Sequence, residues 1–225
     1  MLDLFLDGFW LGEDTKTLIN HLLIVAMDQT SYERCIFLRL HCYKLETDGV
    51  DYVGEKLCMS GDFIKMMWRR TRFLRDVLKH GYNFIFTDTD VLWLRNPFHH
   101  LSLNKSMDLQ ISTDKFNGNQ WSEANPINIG FYMINSNNKT ITLFDSCLFR
   151  KLGLQVRFLD TVNFSGFYQD SGDVRAVTTV HANCCQSISA KLADLTAVIH
   201  DCSGESRILI EHGRPLTVDG RNNNQ

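Results

Sequence analysis

The feature that most constrains this chain is the stretch Tyr82-Asn83-Phe84-Ile85-Phe86-Thr87-Asp88-Thr89-Asp90-Val91-Leu92-Trp93, a β-type apolar run that stops on two carboxylates one residue apart. Continuous apolarity is the pattern of a central strand in a parallel sheet, covered on both faces. Alternate residues of an extended strand share a face, which predicts that Asp88 and Asp90 project together at the strand end. Two buried carboxylates so close repel unless a cation lies between them. Hard divalent ions meet that need with oxygen ligands, held by one or two carboxylates and the phosphates of a substrate. The competing reading is an ordinary solvated turn or helix cap, since Asp and Asn are common in both.

The size and charge of the chain narrow the field. With 225 residues, 44% hydrophobic and 22% charged, it is long enough for one α/β domain with a sizeable core. A net charge of -3 gives no general attraction to nucleic acid or anionic membrane, and no nucleic-acid partner is expected. Lys65, Arg69, Arg70, Arg72 and Arg75 form a local basic cluster, a size that suits a small anion. Seven cysteines fit no close-spaced zinc pattern and leave their pairing open. Three acceptor triplets, Asn104-Lys105-Ser106, Asn138-Lys139-Thr140 and Asn163-Phe164-Ser165, are compatible with a lumenal location. No signal peptide or membrane-length apolar run is present, so an anchor is expected only in a longer form.

Along the chain, helical patterns are predicted at Leu2–Trp10, Asp14–His21 and Ser31–Leu40, with strands at Leu22–Met27 and Cys42–Leu45. The clearest helix is Ser60–His80, with Ser60 as N-cap and Gly81 as its stop. Lys65 and Arg69, four apart, share one face of it and are candidates to hold phosphate. Further strands are predicted at Asp108–Thr113, Phe131–Ile134, Val156–Leu159 and Val174–His181, then a closing helix at Ser189–Asp201. The polar loop 117–126, carrying Trp121, is of a kind that contacts sugars by stacking. His181, emerging at a strand end, is a candidate third ligand for manganese, against the structural role usual for a lone histidine.

Read together, 63–70, 83–98, Asn125-Pro126-Ile127-Asn128-Ile129-Gly130-Phe131-Tyr132, Val156-Arg157-Phe158-Leu159-Asp160-Thr161 and His181-Ala182-Asn183-Cys184-Cys185 resemble, in order, the plant nucleotide-diphospho-sugar transferase domain of glycosyltransferase family seventy-seven. The resemblance implies an α/β GT-A-like fold, a Rossmann-type mixed sheet flanked by helices, over residues 1–202; the polar, Asn-rich residues 203–225 depart from the family pattern and are expected to form a divergent, disordered tail. It further implies a retaining transfer of a pentose or galactose from a UDP-sugar to a cell-wall polysaccharide or glycoprotein. Asp88, Asp90 and His181 would hold Mn2+ or Mg2+, Lys65 or Arg69 the phosphates, and Asp114, Asn128 and Gly130 would border the donor sugar. Such a protein resides in the Golgi lumen and is anchored there in its full-length form.

Against that family pattern, truncation at the N-terminus is expected, together with an internal deletion where Arg150 runs into Lys151 and an Asp-Gln carboxylate motif is absent. The catalytic carboxylate is therefore unknown. Two other readings accompany the transferase: a metal-assisted phosphohydrolase, and an inactive relative or splice product that binds UDP or a partner enzyme.

Overall fold

A computed structural model of the chain describes residues 1–46, 60–146, 152–183, 187–202, 208–211 and 214–217. Cys184 and Cys185 of the His181 motif, and the Arg150-Lys151 junction, lie outside the described residues. The described chain is a mixed α/β arrangement of short sheets flanked by helices.

Helix α1 (Leu2–Leu11) and a 3-10 segment (Lys16–His21) precede β1 (Leu23–Ala26), α2 (Gln29–Phe37) and β2 (His41–Lys44), with β1 and β2 parallel. Asp28 caps α2 by accepting the Ser31 N–H, and a disulfide joins Cys35 of α2 to Cys42 of β2. Helix α3 (Gly61–Lys79) starts on the Ser60 cap, whose hydroxyl accepts the Phe63 N–H. It stops before Gly81, whose φ of +84° is the left-handed turn that favours glycine. Strands β3 (Phe84–Thr87), β4 (Val91–Trp93), β5 (Leu109–Thr113) and β6 (Ile127–Ile134) follow, then α4 (Asn138–Ser146), β7 (Val156–Phe158), β8 (Phe164–Gly166) and β9 (Thr179–His181). Helix α5 (Ile188–Cys202) closes this series. Within 203–225, where the composition predicts disorder, β10 (Ile208–Glu211) and β11 (Arg214–Thr217) form an antiparallel pair.

The apolar run is not one central strand of a parallel sheet. Thr87 ends β3, and Val91 begins β4 in a different sheet. Among the described residues, β3 is terminal in a four-stranded sheet ordered β3-β6-β5-β7 and antiparallel to β6; within that sheet β5 and β7 are the parallel pair. Strand β4 belongs to the three-stranded sheet β4-β9-β8. The pattern misleads because both faces of β3 are covered. Phe84 and Phe86 pack into the cluster of Leu78, Tyr132 and Ile134, whereas Ile85 packs toward Phe5, Phe9 and Phe131. Two-sided cover yields a continuous apolar sequence whatever the strand's neighbours.

Helix α1 locks the two sheets together. Phe5 and Phe9 are 2% and 0% exposed and share a core with Val91, Trp93, Phe131, Leu159 and Phe164. The Phe9 ring stacks on Trp93 at 4.7 Å between centroids. Each such side chain contributes about 1.5 to 3 kcal/mol of hydrophobic stabilisation.

Candidate metal centre

The step from β3 to β4 is a tight turn in which the Val91 N–H donates to the Asp88 carbonyl at 3.2 Å. Asp88 and Asp90 therefore do not share a strand face; the turn brings them together at the junction of the two sheets. Each sheet pins one of them. The Asp88 N–H donates to the Gly130 carbonyl of β6 at 2.8 Å, and the Ala182 N–H, just past β9, donates to the Asp90 carbonyl at 3.1 Å. Because β9 pairs antiparallel with β4, with Val91 opposite His181, the register delivers the imidazole to the carboxylates. One ligand atom from each of Asp88, Asp90 and His181 falls within 4.8 Å of the others. The turn suggested by the sequence is thus real, with Thr89 exposed at its tip and the Asp88 and Asp90 side chains partly covered, 34% and 14% exposed.

Two cations answer the carboxylates. Arg70 Nη1 lies 3.1 Å from Asp88 Oδ1, and Lys191 Nζ of α5 lies 2.5 Å from Asp90 Oδ2. Burial pushes the Asp88 carboxyl up to about 6, Arg70 opposing the rise and Asp90 adding to it. Burial also acts to raise Asp90, but hydrogen bonds and charge from His181 and Lys191 outweigh it and hold that carboxyl at about 2. The two acids thus differ in their hold on a proton.

The imidazole is oriented by its neighbours. Asn128 Oδ1 accepts the Gly130 N–H at 2.8 Å, and Asn128 Nδ2 donates to Asp114 Oδ1 at 2.7 Å, which fixes the carboxamide orientation. His181 Nδ1 lies 3.0 Å from that same oxygen and must donate to it. In the neutral ring this leaves the Nε2 lone pair facing Asp90, 3.5 Å away. A metal-bound histidine is held by this kind of second hydrogen bond. Space for the ring comes from Gly130, where an added Cβ would stand 2.2 Å from His181 Cε1. Two carboxylate oxygens and one imidazole nitrogen, with the other nitrogen engaged, form a donor set that fits a divalent ion such as manganese.

Asn183 Nδ2 also donates to Asp114 Oδ1, at 2.7 Å, and Asn183 Oδ1 accepts the Phe167 N–H. The cleft between the sheets is lined by Val91, Ser112, Asn128, Phe131, His181 and Asn183. Asp88, Asp90, Asp114, Asn128, Gly130 and His181 therefore come together as one constellation. Lys65 is on the exposed side of α3, 3.6 Å from Asp62, and Arg69 is partly buried on the same helix; the side chain of α3 that meets Asp88 is Arg70. Lys191 and Asn183 carry no role in the sequence reading. Asn183 stands two residues after His181 in a motif the sequence singles out, whereas Lys191 gives no local signal.

The sequence profile described as nucleotide-diphospho-sugar transferase matches residues 17–152 and 145–195. An uncharacterized protein of Arabidopsis thaliana is 55% identical over 226 residues, covering 89% of this chain and 67% of its own length. A second is 38% identical, covering 88% of this chain and 58% of its own. The beta-arabinofuranosyltransferase RAY1 of the same plant is 25% identical over 75% of this chain and 32% of its own length.

Proposed function

Because the chain belongs to the nucleotide-diphospho-sugar transferase family and is a glycosyltransferase, we propose that it transfers a pentose or galactose from a UDP-sugar to a cell-wall polysaccharide or glycoprotein, with retention, on a divalent ion held by Asp88, Asp90 and His181. The observation that carries this reading is the convergence of those three side chains at the sheet junction, with Asn128 and Gly130 shaping the imidazole's place. The imidazole ligand disfavours magnesium, a hard ion that takes oxygen ligands. Cleavage of the bond between sugar and phosphate leaves negative charge on the departing UDP, and the bound ion would supply Lewis-acid stabilisation of that charge. Arg70 and Lys191 are the cations available to take phosphate oxygens once the ion replaces them at the carboxylates. Asp114, held by two carboxamides, borders the place for the donor sugar.

The Golgi lumen is the proposed location. A disulfide within the α2–β2 unit supports an oxidising compartment. No helix among the described residues is long and apolar enough to cross a membrane.

The test is turnover of UDP-arabinose, UDP-xylose and UDP-galactose, each with manganese and with a chelator, reading both UDP and inorganic phosphate. Metal-dependent UDP release that disappears in His181→Ala is expected. Release of inorganic phosphate, or turnover indifferent to the chelator, contradicts the proposal.

A further inference from the structure

The three Asn-X-Ser/Thr triplets share a sequence pattern but not a structural setting. Strand pairing fixes which end of the four-stranded sheet each side chain occupies. In the antiparallel pair of β5 and β6, Thr113 opposes Ile127 and Leu109 opposes Ile134. Asn128 and Gly130 of the metal centre therefore belong to the Thr113 end, and the Leu109 end points away from it. Asn104 and Asn138 both belong to the remote end. The Met107 N–H donates to the Asn104 carbonyl, the Asn135 N–H donates to the Asp108 carbonyl, and Asn137 Nδ2 donates to Asp108 Oδ1.

Both of these asparagines are exposed. Asn104 Oδ1 accepts the Ser106 N–H at 3.0 Å, so the oxygen of this exposed side chain is used locally, in a bond that leaves Nδ2 unused. Asn138 is spared capping duty at α4, because Asn137 Oδ1 accepts the Lys139 and Thr140 N–H groups instead. Asn163 differs at the asparagine itself, which is half-buried with its amide engaged; the third residue does not separate the triplets, since Thr140 is fully buried too and its hydroxyl donates to the Asn135 carbonyl. Asn163 Nδ2 donates to the Ala176 carbonyl at 2.8 Å, and its own carbonyl accepts the Thr178 and Thr179 N–H groups. The triplet continues into buried Phe164 and buried Ser165, whose hydroxyl accepts the Ser171 N–H.

We propose that Asn104 and Asn138 carry N-linked oligosaccharides and that Asn163 does not. In each modification the asparagine Nδ2 forms a bond to the reducing-end carbon of an oligosaccharide carried on a lipid diphosphate. The bond from that carbon to the diphosphate breaks, the lipid diphosphate leaves with the electron pair, and one amide proton is released. At Asn104 and Asn138 a substituent on Nδ2 extends into solvent at the end of the sheet opposite the metal centre. At Asn163 it would push between the chain and Ala176, where β8 enters its sheet. The inference rests on the lumenal location proposed above.

The experiment separates surface from location by placing the full chain behind a cleavable secretory leader in plant cells and mapping glycopeptides by mass spectrometry on the protease-protected, translocated product. Expected are glycans at Asn104 and at Asn138, one lost in Asn104→Gln, one in Asn138→Gln and both in the double variant, with Asn163 unmodified. A missing glycan at Asn104 or Asn138, or one present at Asn163, overturns the inference. Fractionation of the natural protein reports the location itself, so a cytosolic result there removes the location without touching the occupancy pattern.

Discussion

Asn128 commits its whole carboxamide to the site, one atom to Gly130 and His181 and the other to Asp114. The consequence for His181 is a fixed ring whose other nitrogen, Nε2, is directed at Asp90. Gly130 completes the arrangement by having no side chain, since the built Cβ lies 2.2 Å from the ring. Gly130→Ala is therefore expected to displace His181 and to weaken manganese-dependent UDP binding by at least about tenfold, while overpacking lowers stability by about 1 to 3 kcal/mol. Calorimetry with UDP and manganese, paired with urea unfolding, reads both effects. The acids make a separate prediction for the metal-free chain. Asp88 rises from 3.8 to about 6 on folding, so between those values the folded state holds a proton that the unfolded state has lost, and stability falls as pH rises through the window. Asp90, held at about 2, acts oppositely: its contribution is complete above 3.8 and fades as pH drops toward 2. Asp88→Asn should abolish the stability difference between pH 4 and pH 6 that Asp88 causes, without lowering stability at neutral pH; an unchanged pH profile would show that Asp88 is not the titrating group.

Among the elements, those with a local signature were legible and those defined by distant partners were not. The cap of α3 at Ser60 and its stop at Gly81 follow from residues within one turn of each end. The sequence predicts a strand only from Phe131, whereas β6 starts at Ile127; its first half reverses the usual alternation, with Asn128 and Gly130 buried and Ile127 and Ile129 exposed. Lys191 reaches Asp90 across 101 residues, a separation no periodicity reveals. The division of the apolar run into β3 and β4 was hidden for the opposite reason, since both halves are enclosed and both read as strand interior. Disulfide pairing also needed coordinates. Cys35 is fully buried at the back of α2 and Cys42 sits on β2 seven residues later. Opening that loop by Cys42→Ser is expected to cost about 2 to 3 kcal/mol, measured as a lower urea midpoint that reducing agent reproduces in the natural chain and leaves unchanged in the variant.

For the molecule as a whole, the site exists because two sheets meet, and α1 is what holds them. Phe9 touches the Trp93 ring of one sheet and shares a core with Phe131 of the other. Phe9→Ala is expected to destabilise the chain by about 3 to 5 kcal/mol and to reduce manganese-dependent binding in parallel, as the Asp88 turn and the His181 strand lose their common support. Intact binding in a strongly destabilised variant would show that the turn is organised without α1. The fold class and the three candidate ligands were readable from composition, apolar runs and ordered motifs. The sheet junction that joins them was not, because it depends on which strands pair. The most direct test of the central claim is calorimetric titration of UDP into the purified chain with manganese, with chelator, and with manganese in Asp88→Asn. The account predicts binding in the first case only; equal UDP affinity in all three, or no binding in any, would contradict it.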